Sequence, residues 1–210
     1  MAMISDVIVR RMPVYYRCLC DLEKAGIARV SSQQLADRMN LTASLVRQDF
    51  AVIGGEGRQG CGYPVSLLKA RLEEELGLNS ALKMIVIGAG NVGRAVISNP
   101  LFRQDGFDLV AIFDNDPAIV GTDVAGYTVL DTSDLADFLS LYPVEAAALT
   151  LPASAAQGVA DQLISLGLKG FWNFAPTDLV LPPDIRIVNV HLSDSLKTLS
   201  WQMHRKEERL

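Results

Sequence analysis

Six residues, Gly88-Ala89-Gly90-Asn91-Val92-Gly93, constrain this chain more than any others. They follow the apolar run Met84-Ile85-Val86-Ile87 and open a helical pattern. In that setting each glycine has a task. The first permits a tight turn, the second lets the backbone approach a pyrophosphate, and the third lets helix and strand pack closely. The pyrophosphate then sits at a helix N-terminus. A second apolar strand, Leu109-Val110-Ala111-Ile112-Phe113, ends in Asp114, 21 residues after Gly93. A carboxylate there accepts hydrogen bonds from ribose hydroxyls and repels a 2′-phosphate. Asn115-Asp116-Pro117 supplies no arginine to neutralise one. The pattern therefore favours NADH or NAD+ over the phosphorylated dinucleotides.

More strand and helix signals follow. Ala146-Ala147-Ala148-Leu149-Thr150 reads as a strand running into Pro152, residues 154–166 as a helix, 170–174 as a strand and 185–190 as a last strand. Such alternation predicts a parallel sheet with helices on both faces, a Rossmann-type α/β domain over residues 79–190. Loops after the strand ends face the cleft. The candidate cofactor residues are therefore Gly88, Ala89, Gly90, Asn91, Val92, Gly93, Asp114, Thr150, Leu151, Pro152, Asn173 and Phe174. Residues 191–210 read as a separate C-terminal helix. Leu192, Leu196, Leu199 and Met203 form its apolar stripe and Ser193 is a candidate cap. That stripe needs a surface, on its own sheet or on another subunit.

Residues 1–78 read as a winged-helix domain, with a helix-turn-helix over about 14–53 and a wing at 54–63. Pro13 is expected in the first turn of a helix, whose stripe is Val14, Cys18 and Leu22 and whose end is Gly26. Ser31 and Gln34 form a capping-box pattern. Asn40 suits a left-handed turn, and Thr42 can cap a third helix over 43–53. On that helix Ala43, Val46 and Phe50 face one side, and Ser44, Arg47, Gln48 and Ala51 the other. Arginine binds guanine edges bidentately and glutamine binds adenine, so the outward face suits a major groove; the alternative is an ordinary solvated face. Five glycines follow within nine residues, Gly54 to Gly62, with Arg58 and Gln59 at the tip and Tyr63 closing the loop. A wing of this kind places an arginine in a narrow minor groove; the alternative is a flexible linker. The candidate DNA-binding residues are Ser31, Ser44, Arg47, Gln48, Arg58, Gln59 and Tyr63.

The formal charge of −5 argues against nucleic acid only if the chain is taken as one body. Residues 1–60 carry a net +2 and the rest −7, a modestly basic module joined to an acidic one. No apolar run approaches the roughly 20 residues of a membrane span, and no secretory leader is apparent. Cys18, Cys20 and Cys61 form no CxxC pair, which fits free thiols and a cytoplasmic location. Cys61 is either a thiol sensor or an incidental small residue. No cluster suggests a metal site.

These residues together resemble the Rex family of redox-sensing transcriptional repressors along nearly the whole chain. The likeness runs through residues 10–17, Val30-Ser31-Ser32-Gln33-Gln34-Leu35-Ala36, Val46-Arg47-Gln48-Asp49-Phe50, Gly60-Cys61-Gly62-Tyr63, the glycine motif, Phe113-Asp114, Trp172-Asn173-Phe174-Ala175-Pro176 and residues 189–196. The resemblance implies a homodimer with exchanged C-terminal helices. It also implies NADH and NAD+ as effectors, and operator DNA that is released when NADH rises. Asn99 and His191 stand where many members carry tyrosine and aspartate, so that switch pair does not carry over. Ile53 and Glu56 stand where aromatics are usual. The rival reading is an NAD-dependent dehydrogenase with a helical N-terminal appendage. It lacks a Tyr-x-x-x-Lys, and the only histidines, His191 and His204, lie in or beside the last helix. A further rival is a CoA-binding Rossmann protein, against which Asp114 speaks.

Overall fold

The structure is a computed structural model that describes residues 4–55, 57, 61–99 and 106–204. The chain forms two compact units, Met1–Ser80 and Ala81–Leu210. The first unit is built from α1 (Asp6–Lys24), β1 (Arg29–Val30), α2 (Ser32–Met39), α3 (Ala43–Ile53), β2 (Tyr63–Pro64) and α4 (Val65–Glu75). Local chemistry sets most of these limits. Ser31 Oγ accepts from the Gln34 amide while Gln34 returns a bond to the Ser31 amide, completing the capping box. Asn40 ends α2 in the left-handed region at φ 54°, and Thr42 caps α3 by accepting from the Leu45 amide.

Helix α1 departs from expectation. It starts at Asp6, so Pro13 lies inside it rather than in its first turn. Pro13 is on the exposed face, as is Val9, whose carbonyl loses its partner to the proline and can turn to water. The buried stripe is Met12, Tyr15, Leu19 and Leu22, while Val14 is exposed and Cys18 half-buried. The core gathers Tyr15, Phe50 and Tyr63, with ring centres 4.8 and 5.1 Å apart, between α1, α3 and α4.

The second unit contains β3 (Leu82–Ile87), α5 (Asn91–Ile97), β4 (Phe107–Asp114), β5 (Asp123–Val124), β6 (Tyr127–Asp131), α6 (Leu135–Leu141), β7 (Ala146–Leu149), α7 (Ala153–Ser165), β8 (Gly170–Asn173), β9 (Arg186–Asn189) and α8 (Leu192–His204). The sheet order is β5-β6-β4-β3-β7-β8-β9, and every pairing is parallel except β5 with β6. Alternate residues of β3 feed opposite faces. Ile85 and Ile87 join one core, Met84 and Val86 the other. The hairpin β5–β6 and helix α6 are not anticipated by the sequence. Ala125 and Gly126 form the two-residue turn, both at positive φ (53° and 88°).

Helix α8 begins at Leu192, which places Ser193 inside the first turn and not at the cap. Its stripe does not pack on its own sheet. Leu192, Leu196, Leu199 and Met203 are 51–75% exposed. No described helix is long and apolar enough to cross a membrane.

Candidate functional site

From β4 outward to β6 the strands run away from β3, and from β7 onward they run the other way. The point of reversal lies between β3 and β7. In open parallel sheets ligands bind beyond the carboxyl ends of the strands at such a point. The glycine motif leaves β3 there, and Thr150-Leu151-Pro152 leaves β7 beside it. Gly88 has φ 100°, which a side chain would strain. A Cβ on Gly93 would overlap the Gly88 carbonyl oxygen and crowd Thr150 Oγ1. A Cβ on Gly90 would meet nothing within 4 Å. So Gly88 shapes the turn, Gly93 lets α5 pack on it, and Gly90 leaves open space where a pyrophosphate can approach. The loop fits a dinucleotide on its own geometry.

Polar side chains around this loop are engaged by the fold. Thr150 Oγ1 donates to Gly88 O at 2.6 Å and has Ile87 O at 3.0 Å, tying the two strand ends together. Asp114 is 9% exposed. Its Oδ2 accepts from the Ala89 amide at 2.6 Å and its Oδ1 from the Asp116 amide at 2.9 Å. Each carboxylate oxygen keeps a second lone pair, so a ribose hydroxyl can still be accepted. Asn173 is fully buried. Its Nδ2 donates to Thr177 O and Asn189 Oδ1, and its Oδ1 accepts from the Ala175 amide. Both of its amide hydrogens and one oxygen lone pair are used within the chain, so it shapes the loop after β8. Phe174 is half-buried, its ring 4.5 Å from that of Trp172. Leu151 is half-buried, and Asn91, Val92 and Pro152 are exposed.

In the first unit, Ser44, Arg47, Gln48 and Ala51 are all exposed on α3, opposite Val46, Phe50 and Ile53. Arg47 Nη1 donates to Ser32 Oγ at 3.1 Å, which ties α3 to the first turn of α2. Ser31, expected at the DNA surface, uses its hydroxyl oxygen as the acceptor in the capping box and keeps its O–H donor. Tyr63 is only 9% exposed, and its ring fills the core against Phe50. Arg58 and Gln59 lie outside the described residues.

Sequence reasoning missed a buried ion pair beneath α3. Asp49 is 2% exposed and accepts from Arg11 Nε and Nη2, each at 2.7 Å, and from the Tyr15 hydroxyl at 2.6 Å. Burial alone would raise the Asp49 carboxyl, but the bonds from Arg11 and Tyr15 outweigh it and hold the pKa below the usual carboxylate value. Burial, and then the bond to Asp49, push the Tyr15 hydroxyl well above its ordinary value, so it remains a donor. The signal was present: Val46, Asp49, Phe50 and Ile53 share one helical face.

Two family models match. One, described as "Putative DNA-binding protein N-terminus", covers residues 3–51; the other, described as "CoA binding domain", covers residues 79–177. The redox-sensing transcriptional repressor Rex of Caldanaerobacter subterraneus subsp. tengcongensis is 42% identical over 204 residues, covering 97% of this chain and 91% of that protein. The Rex protein of Clostridioides difficile is 40% identical over 200 residues, covering 95% of each. Among solved structures, RSP, a Rex-family repressor, superposes with a TM-score of 0.88 at 38% identity over 97% of this chain and 95% of that one. RSP in complex with NAD+ and operator DNA gives a TM-score of 0.89 at 40% identity, over 97% and 94%. RSP in complex with NADH gives 0.88 at 38%, over 97% and 95%. These relatives are repressors, which sets the dehydrogenase reading aside. The chain belongs to the Rex family of redox-sensing transcriptional repressors.

Proposed function

We propose that this chain acts in the cytoplasm as a homodimer that grips operator DNA and lets go when NADH binds. The observation that carries this reading is the glycine loop at the reversal point of the sheet, with Gly90 open and Gly93 closed against Gly88. Gly88 to Gly93, Thr150, Leu151 and Pro152 form the nucleotide cradle, and Asp114 receives the adenosine ribose. That carboxylate suits NADH better than CoA, whose ribose carries a 3′-phosphate. Ser44, Arg47 and Gln48 read the major groove, with Arg58 and Gln59 in the adjacent minor groove. Ser31 and Tyr63 contribute by holding α2 and the base of the wing.

The bound dinucleotide supplies a nicotinamide ring that is cationic when oxidised and neutral when reduced. Phe174 and Leu151 offer apolar surface, and an unpaired cation is disfavoured there. The exposed stripe of α8 is where a second copy docks, and Leu192 of that copy adds to the apolar wall. Closing the dimer on the reduced ring moves the two α3 helices off the spacing of about 34–36 Å that successive major grooves demand. A coupling of about 1–3 kcal/mol changes operator affinity roughly 5- to 150-fold, and reciprocity requires that operator weaken NADH by the same factor. The test is a titration of NADH and of NAD+ with and without a palindromic operator at fixed salt. Equal NADH affinity in both conditions would refute the mechanism.

A further inference from the structure

Exposed arginines on a DNA-binding surface are ordinarily assigned to phosphates. Arg29, on β1, is differently engaged. Its Nε donates to Cys61 O at 2.7 Å and its Nη2 to Gly62 O at 3.0 Å. The ladder between β1 and β2 is two residues long, pairing Arg29 with Pro64 and Val30 with Tyr63. The Val65 amide donates to Ala28 O at 3.0 Å. Antiparallel bonding alternates, so the 29/64 pair between is unbonded and Pro64 has no ladder donor to lose. Beyond Tyr63 the ladder has ended. The chain turns tightly there. Gly62 has φ 64°, and a Cβ on it would sit 2.5 Å from Val30 O. The guanidinium thus takes over where the strand stops and holds the two successive carbonyls of Cys61 and Gly62 that lead into β2.

We propose that Arg29 is a positioning residue for the wing. Its Nε/Nη2 edge, one of the edges that grips an oxyanion bidentately, is committed to the protein's own backbone. Arg29 therefore fixes how the loop leaves the sheet and acts on DNA through that loop. Lysine cannot replace it, because a single ammonium on a flexible stem does not reproduce the fork. The proposal rests on the DNA-binding reading given above, yet its first readout needs no DNA.

The experiment compares full-length wild type with Arg29→Ala and Arg29→Lys. Amide hydrogen exchange at Cys61, Gly62 and Tyr63 is followed in the DNA-free protein, and operator affinity is measured over a range of salt. Both variants are expected to exchange faster at these amides while α1 keeps its protection. Both should lose about tenfold in operator affinity, since binding must then order residues that were already fixed. NADH affinity in the absence of DNA should not change. Unchanged exchange at 61–63, loss of protection across α1 as well, or wild-type operator affinity in either variant overturns the assignment. If wild type itself ignores operator, the functional reading fails, while the exchange data still decide whether Arg29 holds the wing.

Discussion

Replacing Asp49 by alanine removes the acceptor for three short bonds at once. The Tyr15 hydroxyl, on a fully buried side chain, is left with nothing to donate to. An unsatisfied buried hydroxyl costs about 1–3 kcal/mol. The Arg11 side chain is 23% exposed and can recover some hydration, so its loss is partial. The sum comes to about 3 kcal/mol, the lower end of what breaking a buried pair costs. The two tryptophans, Trp172 and Trp201, both lie in the second unit, so tryptophan fluorescence is blind to this change. Native-state hydrogen exchange of α1 and α3 amides is the suitable assay. A sign reversal makes the reasoning refutable. Tyr15→Phe should destabilise wild type by about 1 kcal/mol. In the Asp49→Ala background the same change removes a stranded hydroxyl and should stabilise. Equal destabilisation in both backgrounds would sink the account. Acid gives a second check. The folded pKa of Asp49 is depressed, so its contribution is complete above the unfolded value of about 3.9 and is lost as pH falls through the folded pKa. The gap between wild type and Asp49→Ala should therefore close in acid below about pH 4.

Gly93→Ala drives a methyl into the Gly88 carbonyl and Thr150; it should cost about 1–3 kcal/mol in thermal unfolding and weaken NADH at least tenfold by titration. Ala125 sits at φ 53° in the β5–β6 turn, so Ala125→Gly should stabilise by about 0.5–1 kcal/mol in urea unfolding followed by tryptophan fluorescence. Leu196→Glu places a charge in the middle of the exposed α8 stripe, twice in the homodimer proposed above, and should weaken its self-association about 100-fold or more in sedimentation velocity.

Boundaries written in local chemistry were legible. Ser31 with Gln34, Thr42 and Asn40 set the ends of α2 and α3 because each satisfies its own helix terminus, whatever surrounds it. Pro13 misled for the converse reason. Its preference for a first turn is local, and the burial of Met12, Tyr15, Leu19 and Leu22 along one long helix outweighs it. The β5–β6 hairpin hid behind Ala125-Gly126, which lacks the Asn-Gly or Asp-Gly signal of such turns, and α6 has only seven residues. The β3 and β7 runs were plain because central parallel strands are apolar on both faces. The stripe of α8 could be read, but what covers it could not, since periodicity shows that a face is apolar and not what it meets.

Residue type picked out Asp114, Thr150, Asn173, Ser31 and Tyr63 as contacts, yet each is first employed by the fold. Among the described residues no buried side-chain nitrogen or oxygen lacks a partner. On the nucleotide-binding reading proposed above, side chains so engaged leave much of the contact to main chain and to apolar surface such as Val92, Leu151 and Phe174, with Asp114 offering its spare lone pairs. Main-chain recognition is set by loop shape, so the residues that matter are those that hold the loops. Asn173→Ala tests this. It removes only the spare lone pair of Oδ1 as free hydrogen-bonding capacity, but it unties residues 175 and 177 and the end of β9. Faster amide exchange over 174–177 in the ligand-free protein, together with weaker NADH binding, is the expected outcome. Weaker binding with exchange unchanged would mean that the Asn173 amide meets the nucleotide directly.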